Sequence, residues 1–580
     1  MALHIIETSE KEQPSGARSG REYQQAGFER ISAIFLVVLL CILKVIYSFA
    51  RRADSDETQH LHVVWGWATG LLPYRDLFDN HAPLFQFLCS PLFRVIGERP
   101  DILIPMRWAM IPLYFLCLWC VYRCGTMLYS RRLAIWAALL TGAYPTFFIT
   151  SSEFRTDDLW TPLWLLSLLA LVRRPLGPRS VFFAGLALGA AFSTSMKTSA
   201  LLISLIIACI LVLVWKVIRR TPVRGKSLTN LITAGLAGVV IVPALVITYF
   251  AWKGALPSLS YGVIHHNLVA GFFRLDVLKR VRLFAPPALL SAIGGYFTVR
   301  GAKDPARRDR LAVLALTSTA LSLIFGLYWP VIEPQDLLPL APLAFLVAVP
   351  ALSRWVRPEE FSSAPGFRSY AFPLIACAEI AFLLVLSPPA PHALDETTNL
   401  ISDVLRLTTK QDQVMDAKGE SVFRQRAFYY VLEGVTLRRL ELGLIPDNIP
   451  ERLLATRAPV ATILRMPPRA RQFIEENYIP VAYRLRVLGQ MLINNDEELA
   501  KTRAFDIAIP AEYRLVAEYG NLEATLDGTP FPEARFLSPG HHEVRALSGS
   551  GRIALVLASA LEKGFSPFSA QAKDLAKSGL

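Results

Sequence analysis

The sequence predicts an α-helical polytopic membrane protein with a C-terminal domain of α/β and β structure outside the membrane. Two observations carry this prediction. The 580 residues are 53% hydrophobic, with a mean hydropathy of +0.38, which is more apolar than a soluble chain requires. Apolar runs of about 20 residues, the length that crosses a bilayer, recur from Ile31 to about Ser387, whereas the chain beyond Pro388 is charged and broken into short segments.

By the length criterion we expect about eleven transmembrane helices. They cover residues 31–50, 100–122, 133–151, 159–172, 180–195, 199–217, 228–251, 283–299, 311–329, 336–352 and 370–388. The first run is long enough to span the membrane, so we expect a retained anchor rather than a cleaved signal peptide.

The charged connectors predict the orientation of these helices. With residues 1–30 as a cytoplasmic tail, the inside connectors are rich in arginine and lysine, as at Arg131–Arg132 and Arg173–Arg174. The only basic residues in the short outside turns near 152–157, 196–198 and 330–335 are Arg155 and Lys197. This asymmetry follows the positive-inside rule, and an odd number of spans then places the C-terminal domain outside.

Charge and cysteine usage exclude two classes of protein. The net charge of +13 is spread over short connectors and is not concentrated on one helix or tail, so we expect no nucleic-acid partner. All seven cysteines lie in apolar segments, so no disulfide framework is indicated. Cys117, Cys120 and Cys124 resemble a metal spacing, but small packing residues are the better interpretation in an apolar helix.

Two outside segments are long. In the first, residues 51–99, the apolar pieces 58–72 and 82–96 are too short to span easily and suit helices that lie in the membrane interface. The second, residues 253–282, carries Trp, Tyr and cationic residues suited to the headgroup layer.

The tail divides into two predicted pieces. Residues 389–500 alternate helical and strand patterns and predict a periplasmic α/β domain. Residues 501–580 show short strands with turn residues and predict a β module and tail. Neither piece shows a catalytic signature, so we expect a folding or docking role.

Two acidic groups fall on the same predicted face of the membrane. Asp54, Ser55, Asp56 and Glu57 follow the first span, and SSEFRTDD lies at the outer end of the third and fourth spans. One interpretation of the first group is helix capping, with Ser55 or Asp56 as the N-cap and Glu57 in the first turn. The other is a functional site, because ionisable groups gathered at spans are costly without a role.

At these residues the chain resembles the polyprenyl-phosphate-sugar glycosyltransferases of C-type (GT-C) fold, the group of the protein O-mannosyltransferases and the lipid A aminoarabinose transferase. The stretch DETQHLHVVWGWATGLLPYRDLFDNHAPLFQFL resembles their first outer loop, with Asp56–Glu57 as the acidic pair. Their aromatic-acidic-basic-Pro-Pro-Leu motif appears as Phe78–Leu84, where His81 replaces the lysine of many members. The resemblance continues through RTDDLWTPLWLLSLLAL, STSMKTSALL and EPQDLLPLAPL.

The resemblance implies a GT-C-like catalytic domain over residues 31–388. It also implies transfer of a sugar from a polyprenyl (undecaprenyl) phosphate donor, with inversion, to a lipid, glycan or protein acceptor on the periplasmic face of a bacterial inner membrane. Such a transfer needs a base that takes the proton of the acceptor. We expect Asp56 to be this base, Asp157 to orient the acceptor or share the work, and Glu57 to assist.

The departing phosphate needs cations. We expect His81, Arg75, Arg155 and Lys197 to supply them, against the alternative that each is a snorkelling or positioning charge. Further expected substrate contacts are Asp158, Glu333 and His265, although His265 and His266 also suit an ordinary interfacial pair.

No cofactor is expected, because the members that the chain most resembles act without a metal. Asp54 and Asp56 nevertheless form an Asp-x-Asp, the pair that would hold a divalent ion if one were used.

Two rival functions remain open at this point. A transporter or flippase of lipid-linked glycans also has many spans and buried charges, but it explains neither the large outer tail nor the acidic pair. A membrane assembly factor would use the tail to bind partners. An Asp56→Asn substitution separates these from a transferase, which alone depends on a base.

Overall fold

The structure is a computed structural model of the chain and describes residues 20–220, 225–269, 276–356, 370–482, 484–494, 502–531 and 533–569. Most of the predicted tail 1–30, residues 270–275 of the second outer segment and the last part of the predicted β module lie outside these residues.

The membrane body is a bundle of helices around one apolar core. In chain order the helices of this body are α1 Gly20–Phe49, α2 Ser55–Thr69, α3 Leu84–Ile96, α4 Leu103–Trp108, α5 Ile111–Leu128, α6 Arg131–Ala143, α7 Pro145–Thr150, α8 Thr156–Val172, α9 Pro178–Phe192, α10 Thr198–Ile218, α11 Gly225–Trp252, α12 Leu256–Ser260, α13 Val277–Arg300, α14 Pro305–Leu323, α15 Leu340–Val356 and α16 Ala371–Leu386. Short π-helical turns at Tyr261–His265 and Ile324–Tyr328 and a 3₁₀ turn at Pro334–Leu337 join some of them.

Each predicted span overlaps one of these helices or a consecutive pair. Among the described residues, six helical segments are long and apolar enough to cross a membrane: Gly27–Phe49, Leu103–Leu128, Thr198–Ile218, Thr229–Trp252, Pro305–Tyr328 and Pro334–Arg354. The other predicted spans are shorter or interrupted; α6 and α7, for example, are separated at Tyr144, before Pro145. Proline lacks the N–H that would continue the hydrogen-bond ladder. The chain is thus a multi-pass membrane protein.

The two apolar pieces of the first outer segment are helical, as predicted. Helix α2 overlaps the predicted piece 58–72, and α3 overlaps the predicted piece 82–96. Helix α2 ends at Thr69, and the C-cap Gly70 has a φ of 91°, a conformation that favours a residue without a Cβ. Both helices are too short to cross a bilayer.

The described part of the tail contains five helices and twelve strands. The helices are α17 Asp395–Leu407, α18 Gly434–Glu441, α19 Ile449–Thr456, α20 Pro468–Asn477 and α21 Ala558–Glu562. The strands are β1 Gln413–Val414, β2 Gln425–Arg426, β3 Val460–Thr462, β4 Tyr478–Ala482, β5 Leu485–Ile493, β6 Arg503–Ile507, β7 Ala511–Tyr519, β8 Ala524–Leu526, β9 Thr529–Pro530, β10 Ala534–Leu537, β11 Gly540–Ala546 and β12 Ser550–Leu557.

These strands form a six-stranded sheet of order β10-β7-β12-β5-β3, with β4 beside β5, a four-stranded sheet of order β6-β11-β8-β9, and the parallel pair β1-β2. Strand β5 precedes residue 500 and its partner β12 follows it. Strands from both sides of the predicted boundary at residue 500 therefore share one sheet, and the division into two domains there stays a prediction.

The tail packs directly on the outer helices. Val422 and Phe423 belong to the same buried apolar cluster as Leu61 of α2, and the rings of Phe93 and Phe423 lie 5.6 Å apart. His62 of α2 shares a hydrogen bond of 2.9 Å with the carbonyl of Val422. This contact places the turn at residues 416–426 beside the acidic start of α2.

Candidate active site

The acidic run after α1 is organised by a cap. Asp54 is the N-cap of α2: its side chain accepts the N–H of Asp56 at 2.9 Å, and Glu57 accepts the N–H of Asp54 at 2.8 Å. This is a capping box, which satisfies two free N–H groups reciprocally. The expected cap at Ser55 or Asp56 is therefore wrong, and the side chain of Asp56 remains available for other contacts.

Glu57 is an internal anchor. Its carboxylate accepts two hydrogen bonds from Arg107, from Nε at 2.7 Å and from Nη2 at 2.5 Å. It also accepts the N–H of Phe154 at 2.7 Å. Neither Glu57 nor Arg107 exposes its side chain. Glu57 thus ties the first acidic group to the second and does not reach a substrate in this arrangement.

Arg155 joins the two acidic groups. Its guanidinium contacts Asp54 at 2.5 Å, Asp56 at 2.7 Å and Asp157 at 3.5 Å, while only 7% of its side chain is exposed. Asp56 and Asp157, expected from the sequence to come together, therefore meet on one buried cation.

A second cation, Lys197, extends this chain of charges. Its ammonium lies 3.3 Å from Asp157 and 2.7 Å from Asp336. Asp336 is fully buried, follows the start of the Pro334–Leu337 turn, and accepts the N–H of Glu333 at 2.9 Å. Asp336 is not among the residues predicted from the sequence, although it lies inside the EPQD stretch that carries the family resemblance.

Exposure separates the residues of this cluster into two layers. Asp56, His81 and Lys197 each leave about a quarter of the side chain exposed, at 24%, 26% and 24%. Asp157 and Asp336, at 3% and 1%, lie behind them. Asp56, His81 and Lys197 are thus the partly exposed members of the cluster, and their expected roles stay predictions.

His81 is held by a polar network. Its Nδ1 lies 3.0 Å from Asp79, a buried carboxylate that also accepts from Gln59 and Gln86. The rings of His60 and His81 are 4.5 Å apart. Burial lowers the pKa of His60 well below its ordinary value, so His60 stays neutral beside His81.

The tail contributes a third cation. Lys418, in the turn between β1 and β2, forms an ion pair with Oδ1 of Asp56 and lies 3.4 Å from the hydroxyl of Ser55. Its side chain is 5% exposed. No local pattern in the sequence indicates this contact, since Lys418 is 362 residues away from Asp56 along the chain.

These cations determine the charge of Asp56. Burial raises the pKa of the Asp56 carboxyl, but Arg155 and Lys418 more than offset this and hold the pKa well below its usual range. Asp56 is therefore ionised, with one oxygen on each cation. Glu153 behaves oppositely: burial raises its pKa to about 7 despite Arg51 at 2.7 Å.

Lys44 of α1 forms hydrogen bonds to the end of α7 and to the loop that follows it. This buried residue of α1 donates to the carbonyl of Phe148 and to the hydroxyls of Ser151 and Ser152, each at 2.8 Å. Asp158, a predicted substrate contact, is buried next to this arrangement. A charged residue inside a span usually marks a functional region, and here Lys44 fixes the end of α7 that leads into the loop carrying Arg155.

Three other predicted substrate contacts do not contact Asp56 or Asp157, although Glu333 caps the turn that carries Asp336. Arg75 pairs with Asp76 at 2.8 Å and is 52% exposed. Glu333 pairs with Lys279 at 2.9 Å, and His265 is exposed on the π-helical turn. The structure brings none of these three into contact with Asp56 or Asp157, so their predicted roles would need a substrate that reaches them.

The Asp-x-Asp oxygens are already engaged. Asp54 contacts Arg155 and the N–H of Asp56, while Asp56 contacts Arg155 and Lys418. Within the described ranges, no group of three or more His, Cys, Asp or Glu side chains is arranged to hold a metal ion. The expectation of no cofactor stays a prediction.

Comparison with known protein families gives one match. A profile of the family described as dolichyl-phosphate-mannose-protein mannosyltransferase matches residues 80–247. No curated protein sequence matches the chain significantly.

Two solved structures share the fold. They are ArnT from Cupriavidus metallidurans bound to undecaprenyl phosphate (13% identity, TM-score 0.56, 78% of this chain and 97% of that chain covered) and the same protein in the apo state (14% identity, TM-score 0.54, 79% and 98% covered). The predicted fold class is confirmed: a GT-C-like helical membrane body followed by a domain that contains β-sheet. The resemblance to the GT-C family is likewise confirmed.

Proposed function

We propose that this chain, a membrane glycosyltransferase by its family match and fold, transfers a sugar from a polyprenyl (undecaprenyl) phosphate donor to a lipid, glycan or protein acceptor. The reaction takes place on the periplasmic face of a bacterial inner membrane, with the C-terminal domain on the same side. The observation that carries the proposal is the pair of carboxylates Asp56 and Asp157 on Arg155, with Asp56 partly exposed and with the partly exposed Lys197 on Asp157.

The proposed step is an inverting displacement. An acceptor hydroxyl or amine attacks the anomeric carbon, its proton passes to Asp56, and the bond from that carbon to the phosphate oxygen breaks with the electron pair leaving on the phosphate. Lys197 and His81 lie where they would neutralise the growing charge of the phosphate. Arg155 and Asp157 position Asp56 and Lys197 from behind.

The layered exposure supports this assignment of roles. A base must come within hydrogen-bond distance of the acceptor proton, which Asp56 can do and the buried Asp157 cannot do in this conformation. We therefore assign proton transfer to Asp56. Asp157 holds Lys197 and Arg155 in place, and Glu57 acts through its ion pair with Arg107.

The test is an Asp56→Asn variant of the full-length protein. Lipid-linked sugars and envelope glycans are compared between cells that carry the wild type and cells that carry the variant. We expect the donor to accumulate and the product to be lost, with a fall in turnover of about 10²- to 10⁴-fold, the usual contribution of a general base. Unchanged product formation by Asp56→Asn would remove the assignment.

Asp101→Asn is the matched control. Asp101 lies between α3 and α4 and pairs with the exposed Arg99 at 2.5 Å. We expect it to keep wild-type turnover. A flippase would instead move the intact lipid-linked glycan in both variants and break no glycosidic bond.

A further inference from the structure

We propose that Lys418, supplied by the C-terminal domain, is the movable cation of this site: it covers Asp56 before the donor binds and moves to the phosphate of the lipid-linked donor when the donor arrives. This inference rests on the proposed function. It gives the tail a direct part in substrate binding, beyond the folding or docking role that its sequence suggests.

The two cations on Asp56 are held very differently. Arg155 contacts Asp54, Asp56 and the buried Asp157 at once, so moving its buried guanidinium would break three ion pairs together, which is costly. The ammonium of Lys418 contacts only Asp56 and the Ser55 hydroxyl among the bonds and ion pairs of the described residues. A lysine is also a point charge on a flexible stem, whereas arginine is a planar fork. Lys418 is therefore the partner that can leave.

The backbone that carries Lys418 is fixed, so only its side chain would move. Asp416 accepts the N–H of Gly419 at 2.7 Å and the N–H of Ser421 at 2.9 Å, and pairs with Arg426 at 2.8 Å. Gly419 packs against His62 of α2, where a Cβ would come within 2.6 Å. The turn is thus clamped onto the membrane body with the root of Lys418 at the site.

The negative charge of the donor phosphate is the reason for Lys418 to move. Asp56 with both oxygens on cations is a poor proton acceptor, because its charge is already neutralised. A prenyl phosphodiester brings one negative charge to the exposed side of Asp56, and that charge approaches two as the sugar leaves. A mobile cation that passes to the phosphate frees one oxygen of the base and stabilises the leaving group in the same movement.

The first test measures binding of undecaprenyl phosphate to the purified full-length protein. Removal of one cation near an anionic headgroup is worth about 1 kcal/mol, so we expect Lys418→Met to weaken binding about fivefold. Lys418→Arg should restore most of it. Lys410→Met is the matched control, because Lys410 lies on the same domain and is 76% exposed. Equal binding by wild type and Lys418→Met would overturn the inference.

A double-mutant cycle keeps the test valid if Lys418→Met folds poorly. Asp56→Asn releases Lys418, so we expect tighter binding of undecaprenyl phosphate. The gain should be lost in the Asp56→Asn/Lys418→Met protein if the released lysine is its cause. A gain that survives in the double variant would mean that the phosphate responds only to the lost charge of Asp56, and the inference would fail.

The pH profile of turnover gives a readout that a purely structural lysine would not move. The charged and titratable groups around Asp56 are Lys418 from the tail, Arg155 from the loop before α8, His81 from the loop before α3, the neighbouring Asp54, and Asp157 on the far side of Arg155. Loss of Lys418 should shift the acid limb of kcat/KM to higher pH, and Lys418→Arg should return it. An acid limb that stays in place would contradict the inference.

Failure of the proposed function is distinguishable from failure of this inference. Wild-type protein that transfers no sugar removes the proposed function. Wild-type protein that transfers sugar, while Lys418→Met binds undecaprenyl phosphate normally, removes only the role of Lys418.

Discussion

Glu57 and Arg107 form a two-bonded ion pair, Nε to Oε1 at 2.7 Å and Nη2 to Oε2 at 2.5 Å, in which neither side chain is exposed. Burial raises the pKa of Glu57, but Arg107 outweighs it and leaves the pKa below its ordinary value. Nη1 of Arg107 also donates to the carbonyls of Ser48 and Arg51. The ion pair therefore joins the end of α1, the start of α2 and the loop before α8.

Glu57→Gln should destabilise the protein strongly. Removing one partner of a buried pair leaves the other charge uncompensated, which costs about 3–5 kcal/mol. Thermal unfolding in detergent measures this, with Asp101→Asn as control. A variant that unfolds at the wild-type temperature but loses turnover would show that Glu57 takes part in the reaction directly.

Lys197→Met should weaken donor binding. The substitution removes a partly exposed cation and leaves Asp157 and Asp336 facing each other without the charge between them. We expect the KM for the lipid-linked donor to rise about tenfold or more, because charge-assisted bonds to phosphate are among the stronger ones. Lys279→Met, which breaks the more exposed pair with Glu333, is the control. An equal rise in both variants would contradict a specific role for Lys197.

Gly419→Ala should loosen the tail from the membrane body. Gly419 has a φ of 82°, and a Cβ there would lie 2.6 Å from the Cβ of His62. Gly443→Ala is the matched control, since Gly443 has a φ of 66° with no atom within 4 Å of the added carbon. Both variants carry the backbone strain of about 1 kcal/mol, but only Gly419→Ala should also lower turnover, by displacing Lys418. Proteolysis between α16 and α17 reports the detachment. Equal turnover in the two variants would show that this contact is dispensable.

Glu153 should make stability depend on pH. Burial raises its pKa to about 7 in the folded chain, above the ordinary value of an unfolded glutamate. As pH rises, the unfolded chain loses this proton first, so the folded state loses stability between the ordinary value and about pH 7, on the order of 3 kcal/mol in all.

Glu153→Gln should remove that loss. The unfolding temperature of Glu153→Gln should therefore be higher than that of the wild type at pH 8, and the two should differ little at pH 4. Glu441→Gln, at a side chain 64% exposed, is the control. A difference between wild type and Glu153→Gln that is the same at both pH values would contradict the raised pKa.

Much of the membrane body was predictable because lipid imposes a strong pattern on sequence. Apolar length predicts helices, and the eleven predicted spans overlap helices throughout. The cap was predicted one or two positions late, since Asp54, Ser55 and Asp56 are all good N-cap residues and only the backbone decides among them.

The sequence by itself determined that this is a polytopic membrane protein with a GT-C-like body and that acidic and basic residues gather on one face. Tertiary structure alone decided which of these charges are partners. Arg155 lies at the centre of the cluster. Asp336 is the second partner of Lys197, and Lys418 forms an ion pair with Asp56. The physical reason is that hydropathy is local along the chain, whereas an ion pair depends on distance in space, here across as many as 362 residues.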